Sequence, residues 1–128
     1  MIRKVHFLRT FCWEIRAFAP VSFWEASDAE LARAYNGVGA DDWPAWMRSA
    51  VTMLLRPFAA AALVHDWEYS LPDKRYSAFT AANWRLFLNI GKEAVYDCRP
   101  ALVPAGVCAA LLCQLFGYGA YLHGRPGK

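Results

Sequence analysis

The sequence predicts an all-α domain of about five helices with a short N-terminal extended segment, and three observations lead there. Ser27-Asp28-Ala29-Glu30 has the form of a helix start. Apolar residues recur at helical spacing in three later stretches. Gly37, Pro57 and Pro72 stand between those stretches as punctuation. A chain of 128 residues suits one domain, residues 1–128, with a single hydrophobic core.

The elements follow in order. Val5-His6-Phe7-Leu8 and Phe11-Cys12-Trp13-Glu14-Ile15 are aromatic and β-branched, which favours a short extended piece or hairpin closed by Ala19-Pro20. Ser27 followed three residues later by Glu30 is a capping box, since each side chain can satisfy a backbone N–H of the first turn. That helix should run to about Tyr35, with Gly37 at its C-terminal end. Asp42 can cap a second helix with Pro44 in its first turn, and Trp43, Met47, Val51 and Leu54 would face the core. Arg56-Pro57 ends it.

A third helix is expected from about Phe58 to Ser70, closed by Leu71-Pro72-Asp73, with Phe58, Ala62, His65 and Tyr69 on one face. A fourth should run from about Tyr76 towards Tyr96, placing Phe79, Asn83, Leu86 and Ile90 on one face. The two should pack antiparallel and bring His65 near Asn83. Residues 101–124 contain no Asp, Glu, Lys or Arg and are flanked by Arg99 and Arg125, a length that could span a bilayer. Pro104, Gly106, Gln114, Gly117 and Gly119 dilute its hydrophobicity and favour a buried final helix over a membrane anchor.

Composition narrows the function classes. Hydrophobic residues make up 57% of the chain and aromatics 16%, too much apolar content for a disordered protein. The formal charge of +3 is spread over scattered Lys and Arg with no basic run, which speaks against nucleic acid and leaves a lipid or membrane surface open as a partner. No protein partner can be named from it. Cys12, Cys98, Cys108 and Cys113 show no Cys-x-x-Cys or zinc spacing and read as free, mostly buried thiols. The N-terminus does not have the form of a signal peptide, so a cytoplasmic or membrane-associated location is expected. The tryptophans read mostly as core, with Trp43 and Trp46 flanking an apolar entrance. His6 and His123 have no visible partner.

The residues that carry chemistry are His65, Asp66 and Tyr69. On a helix, His65 and Tyr69 share one face while Asp66 points about 100° away. A histidine on a rigid helix can serve as a general base near neutral pH. Asp66, aimed elsewhere, cannot orient it but can bind a hard cation, which needs further oxygen ligands. Tyr35-Asn36-Gly37-Val38-Gly39 offers them, because its glycines let backbone carbonyls turn inward. A calcium ion held there could polarise an ester carbonyl while His65 activates a water. Asn83 on an apolar face needs a hydrogen-bond partner, and His65 is the obvious one. Asp73 is a second candidate partner, although its place beside Pro72 is explained by turn chemistry.

The pairing of Tyr35-x-Gly37-x-Gly39 with Ala60-Ala61-Ala62-Leu63-Val64-His65-Asp66-Trp67-Glu68-Tyr69 resembles the phospholipase A-two superfamily, most nearly its parvovirus capsid domain. The resemblance covers roughly residues 35–90. It implies calcium binding by Tyr35, Gly37, Gly39 and Asp66, a general base at His65, and a supporting role for Tyr69. Three departures stand out: Ala61 and Ala62 occupy the place of paired cysteines, the distance from Gly39 to His65 is longer, and the second Asp of the family is Asn83. An amide there can fix the His tautomer but supplies no negative charge to an imidazolium, so activity should be weak or absent. The chain is also similar to small tailed-phage proteins of unknown function with such a helix. The expectation is therefore a phospholipase-like lipid-ester hydrolase scaffold, degenerate or inactive. The alternative is a phage-associated structural or host-interaction protein with a non-catalytic cluster.

Overall fold

The computed structural model describes residues 2–35 and 44–123, and the described residues are helical with no strand. In chain order the helices are α1 (Ile2–Glu14), α2 (Val21–Glu25), α3 (Asp28–Ala34), α4 (Ala45–Leu55), α5 (Ala59–Ser70), α6 (Tyr76–Tyr96), α7 (Val103–Phe116) and α8 (Tyr118–His123). Five of them, α1, α4, α5, α6 and α7, have 11 residues or more.

The N-terminal segment corrects the sequence reading: it is helix α1 and not an extended piece. Val5, Leu8 and Cys12 are its buried residues, and Ile15 follows them into the core. Their spacing of three, four and three is a helical stripe. Phe7 and Trp13, whose β-propensity suggested a strand, project outward from it. Packing of the stripe overrides local propensity here.

The capping box forms as expected, with Glu30 N–H donating to Ser27 Oγ at 3.1 Å and Ser27 N–H donating to Glu30 Oε1 at 3.1 Å. Tyr35 is the C-cap of α3; Gly37, Gly39, Asp42 and Trp43 lie outside the described residues. Pro44 is the N-cap of α4 and not part of its first turn. A 3-10 turn at Arg56–Phe58 joins α4 to α5, so Pro57 bends the chain without ending the helical run. The run 45–70 is the one described stretch long and apolar enough to cross a membrane, and half of its most apolar window is buried in the fold. The 101–124 tail is divided: a 3-10 turn at Pro100–Leu102 leads into α7, and Gly117 separates α7 from α8.

Helix α5 lies at the centre. Ala60, Leu63, Val64 and Trp67 join the core formed with α1, α2 and α3, while Ala61, together with Phe58 just ahead of the helix, joins a second core formed with α4, α6 and α7. A helix buried on nearly every side must be apolar all round, and its Ala59–Ala62 start meets that condition. Helix α6 runs antiparallel to it, with Glu93 beside Ala61 at one end and Phe79 beside Tyr69 at the other. Asp73 Oδ1 accepts the Arg75 N–H at 3.1 Å in the intervening turn. Asp73 is thus a turn residue paired with Arg75, not a partner of His65.

Candidate functional site

Because α5 is enclosed, its polar side chains must find partners on the helices around it. His65 finds Asn83 of α6, with Nε2 2.8 Å from Oδ1. The Tyr69 hydroxyl donates to the same oxygen at 2.8 Å. Asn83 Nδ2 donates to Gln114 Oε1 of α7 at 2.8 Å, and Gln114 Nε2 reaches the Tyr76 and Thr80 hydroxyls at 3.3 and 3.4 Å. The network has one consistent set of donors. Asn83 Oδ1 can only accept, so His65 carries its proton on Nε2 and keeps its lone pair on Nδ1. The His65 and Tyr69 rings lie 4.1 Å apart, centroid to centroid.

Electrostatics follow from burial. Desolvation lowers the His65 pKa to about 4, against a smaller opposing effect of the Asn83 hydrogen bond, so the ring is neutral at pH 7. The Tyr69 hydroxyl is pushed well above its ordinary value, first by burial and then by Cys113. Cys113 rises to about 12, again by burial first and then by the Asp66 charge. The group that meets His65 Nε2, the Asn83 amide, is neutral. The sequence-predicted trio of His65, Asn83 and Tyr69 is brought together; what it forms is a neutral hydrogen-bonded network joining α5, α6 and α7.

Asp66 is half-buried on another side of α5. Its charge adds to burial in raising the pKa values of Tyr35, Tyr69 and Cys113. Gly37 and Gly39, the other expected calcium ligands, lie outside the described residues. Calcium takes about six to eight oxygens. Among the described residues no group of three or more His, Cys, Asp or Glu is gathered to hold a metal. The described donor set does not by itself make a calcium site.

Several other expectations are corrected. The thiols are free but only Cys12 and Cys113 are buried; Cys98 and Cys108 are exposed. Among the described tryptophans Trp67 is buried, whereas Trp13, Trp46 and Trp84 are exposed. His6 does have a partner, Asp28 Oδ2 at 2.9 Å.

Sequence reasoning missed four polar anchors, of which Glu68, Asn89 and Glu93 are buried and Gln114 half-buried. Glu68 is held by Arg85 in a two-pronged pair, with Nε–Oε1 at 2.8 Å and Nη2–Oε2 at 2.5 Å. Asn89 Oδ1 accepts the Phe18 N–H at 2.7 Å and its Nδ2 donates to the Phe18 carbonyl at 2.8 Å. Glu93 Oε1 accepts the Ala61 N–H at 3.1 Å, capping α5 from a neighbouring helix. Gln114 completes the Asn83 amide. Asn83, Leu86, Ile90 and Glu93 keep one helical stripe, so the reasoning that singled out Asn83 would also have found Glu93. Gln114 carried no such signal, because its uncharged tail has no polar face to set the register.

No family model, curated protein or solved structure matches this chain.

Proposed function

We propose that this protein is a phospholipase-like helical scaffold in which ester hydrolysis has lapsed, leaving the His65 cluster as a polar clasp between helices. One observation carries the reading: the group that meets His65 Nε2 is the Asn83 amide and not a carboxylate. A carboxylate would hold the tautomer and also stabilise the imidazolium formed when His65 takes a proton from water. An amide does the first and not the second. Burial works the same way, since a pKa near 4 leaves His65 a weak base at neutral pH.

The test is a restored carboxylate. With calcium and micellar phospholipid, wild type should show no turnover above background. Asn83→Asp should raise the His65 pKa and produce measurable ester hydrolysis, and adding His65→Ala to Asn83→Asp should remove it. A folded Asn83→Asp that stays inert would exclude a latent hydrolase. It would favour the second reading, a phage-associated structural or host-interaction protein. The extension of the clasp through Gln114 into α7 supports that alternative, because a network spread over three helices suits a structural role.

A further inference from the structure

We infer that Gln114 of α7 is a positioning residue that acts through Asn83 to decide which nitrogen of the buried His65 ring carries the proton. The inference rests on the reading of His65 and Asn83 as a clasp and adds what sets the polarity of that clasp.

The Asn83 amide has an oxygen that only accepts and a nitrogen that only donates, so it can stand in its place in two ways, related by a half-turn of the amide. Its partners on α5 do not choose between them. The His65 ring can present either an N–H or a lone pair at Nε2, and the Tyr69 hydroxyl can donate or accept. With Oδ1 towards them, 2.8 Å from each, His65 must hold its proton on Nε2. With Nδ2 towards them, the proton would sit on Nδ1 and both contacts would still be hydrogen bonds.

The choice is made on the other side, where Asn83 meets a partner whose two ends have fixed polarity. Gln114 Oε1 accepts Asn83 Nδ2–H at 2.8 Å. A carbonyl oxygen cannot donate, so it keeps Nδ2 towards α7 and Oδ1 towards the ring. Gln114 is held in turn with Nε2 towards the Tyr76 and Thr80 hydroxyls of α6, 3.3 and 3.4 Å away. Both of those residues are exposed, so their own hydrogens can go to water while their oxygens accept. Polarity therefore passes from the surface of α6, by way of α7, to an imidazole that is 5% exposed, and it leaves the lone pair on Nδ1. A side chain that only tied α7 to α6 would leave the ring's tautomer alone.

Nitrogen-15 NMR of the His65 ring in the full chain at neutral pH tests this, with substitutions that give position 114 a single polarity. Gln114→Glu, ionised, can only accept, and Gln114→Lys can only donate; the position is half-buried, so either charge can reach water. Gln114→Glu should keep the Nε2–H form of wild type. Gln114→Lys should turn the Asn83 amide over and move the tautomer ratio towards Nδ1–H by about tenfold or more, the factor that corresponds to one buried hydrogen bond. Gln114→Arg carries the same expectation should the lysine variant fail to fold. A folded lysine or arginine variant that keeps the wild-type ratio overturns the inference, and so does a Gln114→Glu variant that shifts to Nδ1–H. Failure of the clasp reading shows elsewhere, as a wild-type His65 midpoint near the ordinary 6.5; the tautomers of the variants, read above that midpoint, would still decide the role of Gln114.

Discussion

Asn83 uses three of the four hydrogen-bonding positions of its amide: two donors converge on Oδ1, and Nδ2 is spent on Gln114. Removing that side chain leaves the His65 N–H and the Tyr69 hydroxyl without their acceptor in a closed interior. Asn83→Ala should therefore destabilise the fold by about 2–4 kcal/mol, since each buried group left unsatisfied costs about 1–3 kcal/mol; urea unfolding measures this. Asn83 and His65 were legible because a polar residue on an apolar stripe demands a partner, and the next helix offered one. Glu68 and Arg85 were harder to pair. Glu68 and Arg85 flank the facing stripe that carries His65 and Asn83, and charged residues beside a stripe are as readily solvated as paired.

At the scale of elements, two glycines make opposite predictions. A Cβ added at Gly106 would come within 2.5 Å of Ile90 Cγ2 and 2.9 Å of Phe58 Cε2, so this glycine permits α7 to lie close on α6. Gly106→Ala gains about 1 kcal/mol of helix propensity but loses about 1–3 kcal/mol to overpacking. Because Ile90 is β-branched and enclosed, the loss should win by about 1 kcal/mol. A Cβ at Gly91 meets nothing within 4 Å, so Gly91→Ala should stabilise by about 1 kcal/mol. Thermal unfolding of the two variants should move in opposite directions. Boundaries were legible where the chain uses residues with a fixed structural habit: α3 begins at its capping box, and α6 spans Tyr76–Tyr96 as the spacing implies. They were not legible where it does not. The turns after α1 and α6 place Arg16 and Cys98 at φ 54° and 56°, positions where glycine would have announced a helix end.

For the whole molecule, His65 and Glu93 among the described residues give pH effects of opposite sign. His65 has a folded pKa of about 4 against 6.5 unfolded, so its contribution to stability is present above pH 6.5 and is lost as pH falls towards 4. Burial raises Glu93 from 4.5 to about 7, against the Ala61 and Ala60 hydrogen bonds, so its contribution is present below pH 4.5 and is lost as pH rises through 7. Glu93→Gln keeps an acceptor for Ala61 and removes the titration. Its stability relative to wild type should climb between pH 5 and 8, by an amount on the order of 3 kcal/mol for a shift of this size, as read from denaturation midpoints. The helical class and the single antiparallel pair around His65 were visible in the sequence. The role of α5 as a helix shared by two cores was not, because it depends on contacts between segments far apart in the chain. The central claim is that His65 and Asn83 form a neutral clasp and not a poised base, and a nitrogen-15 NMR titration of the His65 ring tests it most directly. A neutral clasp requires the Nε2–H tautomer above a midpoint at about pH 4; a midpoint near the ordinary 6.5, or an Nδ1–H tautomer at neutral pH, would rule it out.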